Sequence, residues 1–485
     1  MRVHLGLAFG LVLLLVMSSR AYDNGAPFSK MPPLGWSSWV GLGPEGSPPE
    51  FDYCDEQSVK EAIDDFMSLG FYDHGYRHFH LDDCWAGGRN ASGYLYPETD
   101  HFPNGLQPLV DYAHSKGLAF GVYTCAGTQT CVGNRPGSKD HWMQDAAYFA
   151  SVGIDWVKMD WCNTDGMDPE TTYSLMGAAM NFSGRPMHFN LCEWGKQDPW
   201  KWAGSIAQSW RATGDHVGTW ESTKEIIGSI QEVVEAGYTG GPYAWNDMDM
   251  LETGNYNQSA HANHKEGNMT AIEYKTEFSM WAISASPLVV TTRIKSCTAQ
   301  PVPSGTTCSI QLLEQISNAA CHLNASFGCL SNGSMWTSDG CRGSFSCYHN
   351  NVTCNVDGDG THVCSCQPQV CKPALTDLQR EILFNDEVIA INQDVTPQGK
   401  TVHAGDDTVW SRKLSDNSVA VALYNSDDND KSIGFQLKDI GFDSGVKVAV
   451  RDLWAHSDNG TITDAFDPVT VLPHQTIVLR LTEAK

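Results

Sequence analysis

The chain has 485 residues, with 57 acidic against 31 basic side chains and a formal net charge of −26 at pH 7. That length leaves room for one large domain and a smaller one, and that charge excludes nucleic acid and an anionic membrane surface as natural partners. Sixteen cysteines point to an oxidising compartment.

The amino terminus is basic at Arg2 and His4, apolar over 5–17, and ends Ser19-Arg20-Ala21. This reads as a signal peptide over 1–21, cut after Ala21. Its apolar core is too short to span a bilayer, and no later stretch is long enough. A soluble exported protein is expected, either secreted or delivered to a lysosome or vacuole through the secretory pathway. Eight N-x-S/T sequons, at Asn90, Asn181, Asn257, Asn268, Asn324, Asn332, Asn351 and Asn459, fit that route.

From 34 to about 394, strand-like runs alternate with amphipathic helices. A strand over 34–39 opens the series, and a helix follows Cys54 with Val59, Ala62, Ile63, Phe66 and Met67 on one face before Gly70. Then come strand 76–83, helix 106–115, strand 119–125, helix 141–151 and the central strand 155–162. Strands 187–194 and 209–215, helix 221–236, strand 243–250, helix 273–285 and strand 287–294 complete the set. Eight strands in series, most separated by a helix, predict a (β/α)8 TIM barrel over 22–394. An open doubly wound sheet would announce itself with a Gly-rich turn after its first strand, and Leu34-Gly35-Trp36-Ser37-Ser38-Trp39 is not one.

Within 297–371 the alternation breaks, and ten of the sixteen cysteines fall there. This predicts a disulfide-rich insert with little periodicity in the loop between strand eight and its helix (375–384), on the face where barrels place their sites. Its disulfide pairing does not follow from spacing. Asp357-Gly358-Asp359-Gly360 reads as a turn, because a calcium loop needs further ligand positions. Beyond 394, short alternating strands at 408–414, 418–424, 446–452 and 469–481 predict a C-terminal antiparallel β-sandwich over 395–485.

The central strand reads Asp155-Trp156-Val157-Lys158-Met159-Asp160-Trp161-Cys162. Strand alternation puts Lys158 and Asp160 on one face. An ammonium there is expected to hold Asp160 ionised, as a nucleophile requires. A surface ion pair would explain an isolated Lys-x-Asp equally well. The recurrence of acids at other strand ends argues for the functional reading: Asp82 and Asp83, Glu193, Asp215, then Asp247 and Asp249. Lys158 and Arg211 interleave with these acids and disfavour a metal cage, so no metal or other cofactor is expected. Carboxylates, cations and aromatics (Trp36, Trp85, Tyr123, Trp161, Trp194, Trp245) suit a sugar, with two carboxylates flanking a glycosidic bond.

Seven motifs then fall in one order: Gly35-Trp36-Ser37-Ser38-Trp39, Leu81-Asp82-Asp83-Cys84-Trp85, Gly121-Val122-Tyr123 and Lys158-Met159-Asp160-Trp161-Cys162 begin it. Leu191-Cys192-Glu193-Trp194-Gly195, Trp210-Arg211-Ala212-Thr213-Gly214-Asp215 and Trp245-Asn246-Asp247-Met248-Asp249-Met250 complete it. Together they resemble the glycoside hydrolase family of α-galactosidases and α-N-acetylgalactosaminidases (family 27, clan D), with plant-type α-galactosidase nearest in motif. The resemblance covers nearly the whole mature chain except the cysteine-rich insert.

It implies a retaining exo-glycosidase that removes terminal α-D-galactosyl residues from oligosaccharides or glycoconjugates by double displacement. Asp160 would be the nucleophile and Asp215 the acid/base, facing each other across a gap of about 5–7 Å. Trp36, Asp82, Asp83, Tyr123, Lys158, Cys192, Glu193, Trp194, Arg211, Asp249 and Met250 would contact the sugar. The resemblance also implies disulfides Cys54–Cys84 and Cys131–Cys162, with Cys192 unpaired. The family's N-acetylgalactosaminidases keep small residues near Glu193, whereas Cys192-Glu193-Trp194 is bulkier and implies galactose.

This chain departs from the family pattern at Ser37, Val40, Cys125, Trp161 and Met248, and Cys125 could compete with Cys131 for Cys162. An α-N-acetylgalactosaminidase, a β-L-arabinopyranosidase and a non-catalytic sugar-binding protein stay open as alternatives. So does the role of the insert, which either shapes the pocket mouth through Trp336 or Tyr348 or is a glycosylated ornament. The sequence leaves the oligomeric state open.

Overall fold

Eight short strands, buried along nearly their whole length, form the centre of the molecule: β1 (Leu34–Ser37), β2 (His78–Leu81), β3 (Ala119–Cys125), β4 (Trp156–Asp160), β5 (His188–Cys192), β6 (Ser209–Arg211), β7 (Trp245–Asp247) and β8 (Leu288–Val290). Burial on both faces is the mark of a parallel sheet covered by helices. They belong to a computed structural model that describes residues 21–42, 54–255, 269–299, 309–317, 319–330, 334–347, 350–354, 360–366 and 369–484. The expected signal peptide up to residue 20, the sequons at Asn257, Asn268 and Asn332, residues 357–359 of the expected turn and Tyr348 lie outside the described residues.

The strands pair in parallel in the order β8-β1-β2-β3-β4-β5-β6-β7. The circle closes just beyond β7, where Leu251 bridges Val290 in parallel. There Leu251 N donates to Val289 O at 2.9 Å and Thr291 N donates to Leu251 O at 3.0 Å. This is the (β/α)8 barrel.

Besides the single turn Ser38–Gly41, seven helices among the described residues complete the frame: α1 (Glu56–Leu69), α2 (Gln107–Ser115), α3 (Trp142–Ser151), α4 (Pro169–Phe182), α5 (Trp220–Glu235), α6 (Ala271–Ile283) and α7 (Asp377–Leu383). In α1 the Asp55 carboxylate caps the start by accepting from Ser58 N, and Gly70 ends it at φ 98°. Helix α4, absent from the expected elements, starts on an Asp168 cap with Pro169 in its first turn. Between β5 and β6 there is no α-helix; Pro199–Lys201 and Ala203–Ser205 form single 3-10 turns.

The barrel's lower layer is polar. His78 and His80 of β2 and His188 of β5 surround Trp156 of β4, with ring centroids 5.4, 5.3 and 5.2 Å from the indole. The segment before β1 plugs this end: the Phe28 ring meets His78 edge-on, and Ser29 Oγ lies 2.9 Å from His188 Nδ1.

After β8, Lys295–Ala299 and Gln369–Pro373 pair antiparallel as a stalk for the cysteine-rich insert. The insert is more regular than its sequence suggests. Two three-stranded antiparallel sheets stand there: Ile310–Gln315 with Gly343–Cys347 and Asn350–Cys354, and Phe327–Leu330 with Ser334–Thr337 and His362–Ser365. Cystines Cys321–Cys341, Cys347–Cys366 and Cys354–Cys364 make up much of its core alongside Phe327, Met335 and Phe345. Apolar alternation is weak in the sequence because sulfur fills the space that side-chain hydrocarbon usually takes.

Helix α8 (Asp386–Asn392) leads into eight antiparallel strands: β9 (Lys400–His403), β10 (Asp406–Lys413), β11 (Val419–Tyr424), β12 (Lys431–Gln436), β13 (Lys447–Asp452), β14 (Ser457–Thr463), β15 (Ala465–Val471) and β16 (Thr476–Glu483). A six-stranded sheet β9-β10-β11-β16-β13-β14 faces the pair β12-β15. The expected single strand 469–481 is the end of β15 and most of β16, separated by a turn with His474 at φ 61°. In β11 the strand alternation is divided between two cores. Val419, Val421 and Leu423 enter the sandwich core, while Ala420, Ala422 and Tyr424 join the barrel's.

Candidate active site

The carboxyl ends of β2 to β7 bring most of the candidate residues together. Asp160 closes β4 in register with Cys125 of β3 on one side and Cys192 of β5 on the other. It is 8% exposed. Its Oδ1 accepts from Trp161 N at 2.9 Å and its Oδ2 accepts from the Tyr123 hydroxyl at 3.2 Å.

The expected Lys158–Asp160 pairing needs correction. Lys158 Nζ donates to Asp82 Oδ2 at 2.9 Å, just past the end of β2, two strands away. Burial pushes Asp160 up to about 6; the Lys158 charge works against this and the nearby Asp215 adds to it. Lys158 therefore limits the rise without cancelling it. Asp82 behaves in the opposite way: burial would raise it, but Lys158 and His80 hold it well below the usual carboxylate range. Asp82 also fixes its neighbour, its Oδ1 accepting from Asp83 N at 2.8 Å. Asp83 accepts from Val132 N at 3.3 Å, and burial with the adjoining Asp82 charge pushes it up to about 7.

A second group gathers on β6 and β7. Arg211 is committed at both terminal nitrogens: Nη2 donates to Asp215 Oδ1 at 3.0 Å, while Nη1 reaches Asp249 Oδ1 at 2.9 Å and Cys192 Sγ at 3.4 Å. Asp249 sits at φ 82°, a backbone conformation that side chains rarely adopt. Its amide donates to Asp247 Oδ1 at 2.9 Å, and Asn190 Nδ2 reaches the other Asp247 oxygen at the same distance. Asp215 is exposed at the mouth, its side chain 43% accessible, in contrast to Asp160.

Between the groups lie Cys192, Glu193 and Trp194. Burial raises the Cys192 thiol well above its ordinary value, and Asp160 adds to this. Burial likewise pushes Glu193 up to about 7. Its Oε2 accepts from Gln197 N at 2.9 Å, but its Oε1 and the Nε of Arg211 are buried polar atoms with no hydrogen-bond partner. Such atoms are costly unless a polar ligand meets them. Trp194, at φ 60° and half-buried, has Lys196 Nζ 4.4 Å from its ring centroid. Met250 is half-buried next to Asp249.

The aromatics divide. Trp36 is fully buried, donating to Thr292 O at 2.8 Å. Trp85 donates to Tyr123 O at 2.9 Å and stacks on Tyr148; Trp245 donates to Ser29 O at 3.2 Å in the plugged end of the barrel. Trp85 and Trp245 are core residues, correcting their reading as sugar platforms. Trp161 packs on Tyr173, ring centroids 5.3 Å apart. Trp39, not among the candidates, lies 6.0 Å from Lys158 Nζ.

Disulfides Cys54–Cys84 and Cys131–Cys162 are present, and Cys125 and Cys192 are free thiols. Cys125 donates to Cys162 O at 3.2 Å, and burial pushes its thiol up to about 12, so it is a poor competitor for Cys162. Cys131, Asp160 and Cys162 place potential ligand atoms within 4.8 Å of one another, yet the two sulfurs are bonded to each other and offer no thiolate to a cation.

Comparison with known proteins follows the same outline. Residues 31–302 match the family model described as alpha galactosidase A, and 404–481 match the alpha galactosidase C-terminal beta sandwich domain. The chain is similar to an alpha-galactosidase of Cyamopsis tetragonoloba, 35% identical over 91% of this chain and 83% of that one. It is also similar to one of Oryza sativa subsp. japonica, 32% identical over 90% and 81%. The crystal structure of alpha-galactosidase I from Mortierella vinacea superposes with a TM-score of 0.69 at 26% identity, covering 95% of this chain and 98% of that one.

Proposed function

The chain belongs to the alpha-galactosidase family, and from that premise we propose how this glycoside hydrolase works: it removes terminal α-D-galactosyl residues from oligosaccharides or glycoconjugates with retention of anomeric configuration. The observation that carries the proposal is the asymmetry of two carboxyl groups at one barrel mouth. Asp160 is buried and held through both oxygens, while Asp215 is exposed and tethered by Arg211.

The nucleophile must hold still and the acid must reach the leaving oxygen. Tyr123 and Trp161 N orient Asp160 so that it attacks the anomeric carbon as the glycosidic bond breaks. Asp215 gives its proton to the departing oxygen, then takes one from the water that releases the sugar. Asp82, held ionised by Lys158, and Asp249, held by Arg211, accept hydrogen bonds from sugar hydroxyls. The unpartnered Glu193 Oε1 suits the hydroxyl of carbon two. The bulk of Cys192-Glu193-Trp194 supports galactose over its N-acetylated analogue.

A panel of nitrophenyl glycosides tests this. The α-D-galactoside is expected to be cleaved at least about 100-fold faster than the α-N-acetylgalactosaminide, a difference a filled pocket can impose. The first product should be α-galactose by NMR, and Asp160→Asn should lower kcat by about 1,000-fold or more. Full activity in Asp160→Asn, or preference for the acetylated sugar or for a β-L-arabinopyranoside, overturns the reading. The apolar leader and the exposed sequons at Asn90, Asn181, Asn324 and Asn459 support export by the secretory route. Among the described residues no helix is long and apolar enough to cross a membrane.

A further inference from the structure

The residue after Asp215 is a histidine with no exposed atom to offer a substrate. His216 and Glu277 both have fully buried side chains, and His216 Nε2 lies 3.0 Å from Glu277 Oε1. Burying such a pair is worthwhile only if every polar atom is met, and here they are. His216 Nδ1 lies 3.1 Å from Ser222 Oγ, which also accepts from Val217 N at 3.0 Å. Glu277 Oε1 accepts from Glu252 N at 2.7 Å and Oε2 accepts from the Thr253 hydroxyl at 2.9 Å. The histidine ring also packs against Trp281, centroids 5.2 Å apart. Glu277 thus ties together three pieces: helix α6, the chain just past β7, and the chain just past β6.

That last piece carries Asp215. His216 N donates to Asp249 Oδ2 at 2.8 Å, and the other Asp249 oxygen pairs with Arg211, which in turn holds Asp215. Trp281 Nε1 donates to Asp249 O at 2.7 Å, so the same helix also fixes the residue that closes this ring. Arg211 Nη2 also donates to Gly214 O at 2.5 Å, so the chain just past the three-residue β6 is held from the same side as the Asp215 carboxyl group.

We propose that His216 and Glu277 are a positioning pair that sets the direction in which Asp215 presents its carboxyl group to the leaving oxygen. The inference rests on Asp215 being the acid/base. It assigns the pair no contact with substrate: its effect is confined to the step that needs a proton delivered.

That step can be isolated by the leaving group. When the glycosidic bond breaks, the dinitrophenyl group of a 2,4-dinitrophenyl α-galactoside leaves as a stable phenolate and needs no proton, whereas the glucose of melibiose would leave as an alkoxide and does. In Glu277→Gln, which keeps the shape, and in His216→Leu, kcat/KM for melibiose is expected to fall by about 10- to 100-fold, a partial loss of the about 100- to 10,000-fold that general acid catalysis supplies. For the dinitrophenyl substrate it should change by less than about threefold, well below what general acid catalysis supplies. His216→Gln, whose amide can still donate to Glu277, should recover most of the melibiose activity. Equal losses on both substrates, or no loss on either in the shape-preserving Glu277→Gln, overturn the inference. Asp215→Ala run alongside separates the two readings. If it spares the dinitrophenyl substrate while the His216 and Glu277 variants show no such selectivity, the positioning role alone falls; if it shows none either, the assignment of Asp215 falls first.

Discussion

At the scale of single residues, the charge state of Asp160 is set by competing influences, of which three are largest. Burial raises it, Lys158 lowers it and Asp215 raises it again, with the balance at about 6. A nucleophile must be ionised, so kcat/KM should fall as pH drops through that region. Removing the Asp215 charge takes away one upward influence, and the sign follows directly: Asp215→Asn lowers the pKa of Asp160. Assayed with an activated aryl galactoside, the acid limb of kcat/KM should move to lower pH in this variant, and a limb that stays put or moves up refutes the account. The sequence made Lys158 and Asp160 legible as neighbours on one face of a strand. It did not reveal that the ammonium would choose Asp82, 76 positions away, because alternation tells which face a side chain takes and not which partner it meets inside a barrel. Glu277 left a fainter sign: a charged residue in the middle of a helix buried on every side has to have a partner somewhere.

At the scale of elements, helix limits were legible where capping chemistry marks them, as at Asp55 and Gly70 around α1. Strand limits ran long: within the expected 209–215 and 243–250 only Ser209–Arg211 and Trp245–Asp247 pair. The overrun residues include the candidates Asp215 and Asp249, which lie just past the ladder. The loop after β3 shows how tightly this rim is built. A Cβ on Gly127 would stand 2.1 Å from Cys162 O and 2.2 Å from Asn163 O, both backbone atoms just past Asp160. The Cys131–Cys162 bond holds the same two loops together. Gly127→Ala must part them, and since displacements near 1 Å cost catalysis about 100-fold, kcat/KM should fall by about 10- to 100-fold. Steady-state kinetics beside a thermal melt would show it, and unchanged kinetics would mean that this contact does not position the nucleophile.

At the scale of the whole molecule, buried titratable groups predict how stability follows pH. His78 is pushed down to about 4 by burial, and His80 and His188 are lowered by the same cause. Below their ordinary value of 6.5 the unfolded chain takes up protons that these native histidines refuse, so stability is lost as pH falls. Asp83, Glu193 and Glu252 are raised by burial to about 7 and Asp160 to about 6, so the native chain keeps protons the unfolded one releases, and stability is lost as pH rises through 6 to 7. Between pH 8 and 6.5 only the carboxyl groups act, and Tm should climb on acidification; below 6.5 the two trends oppose and the climb should stop. A continued steep rise down to pH 5 would show that the histidines are not held neutral. The division of the chain into barrel and sandwich could be read from where helices cease, but not how the two share their interior. Arg412 shows the extent of that sharing, its guanidinium donating to the carbonyls of Ile391, Asn392, Asp394, Thr396 and Pro397 where α8 ends. Strand β11 carries it further, one row of its side chains serving each unit. The sandwich is therefore less a passenger than a missing wall of the barrel: a chain trimmed of it would carry a raw oily flank around Trp220 and α6, sticky towards its own copies, and the intact chain should melt as a single body.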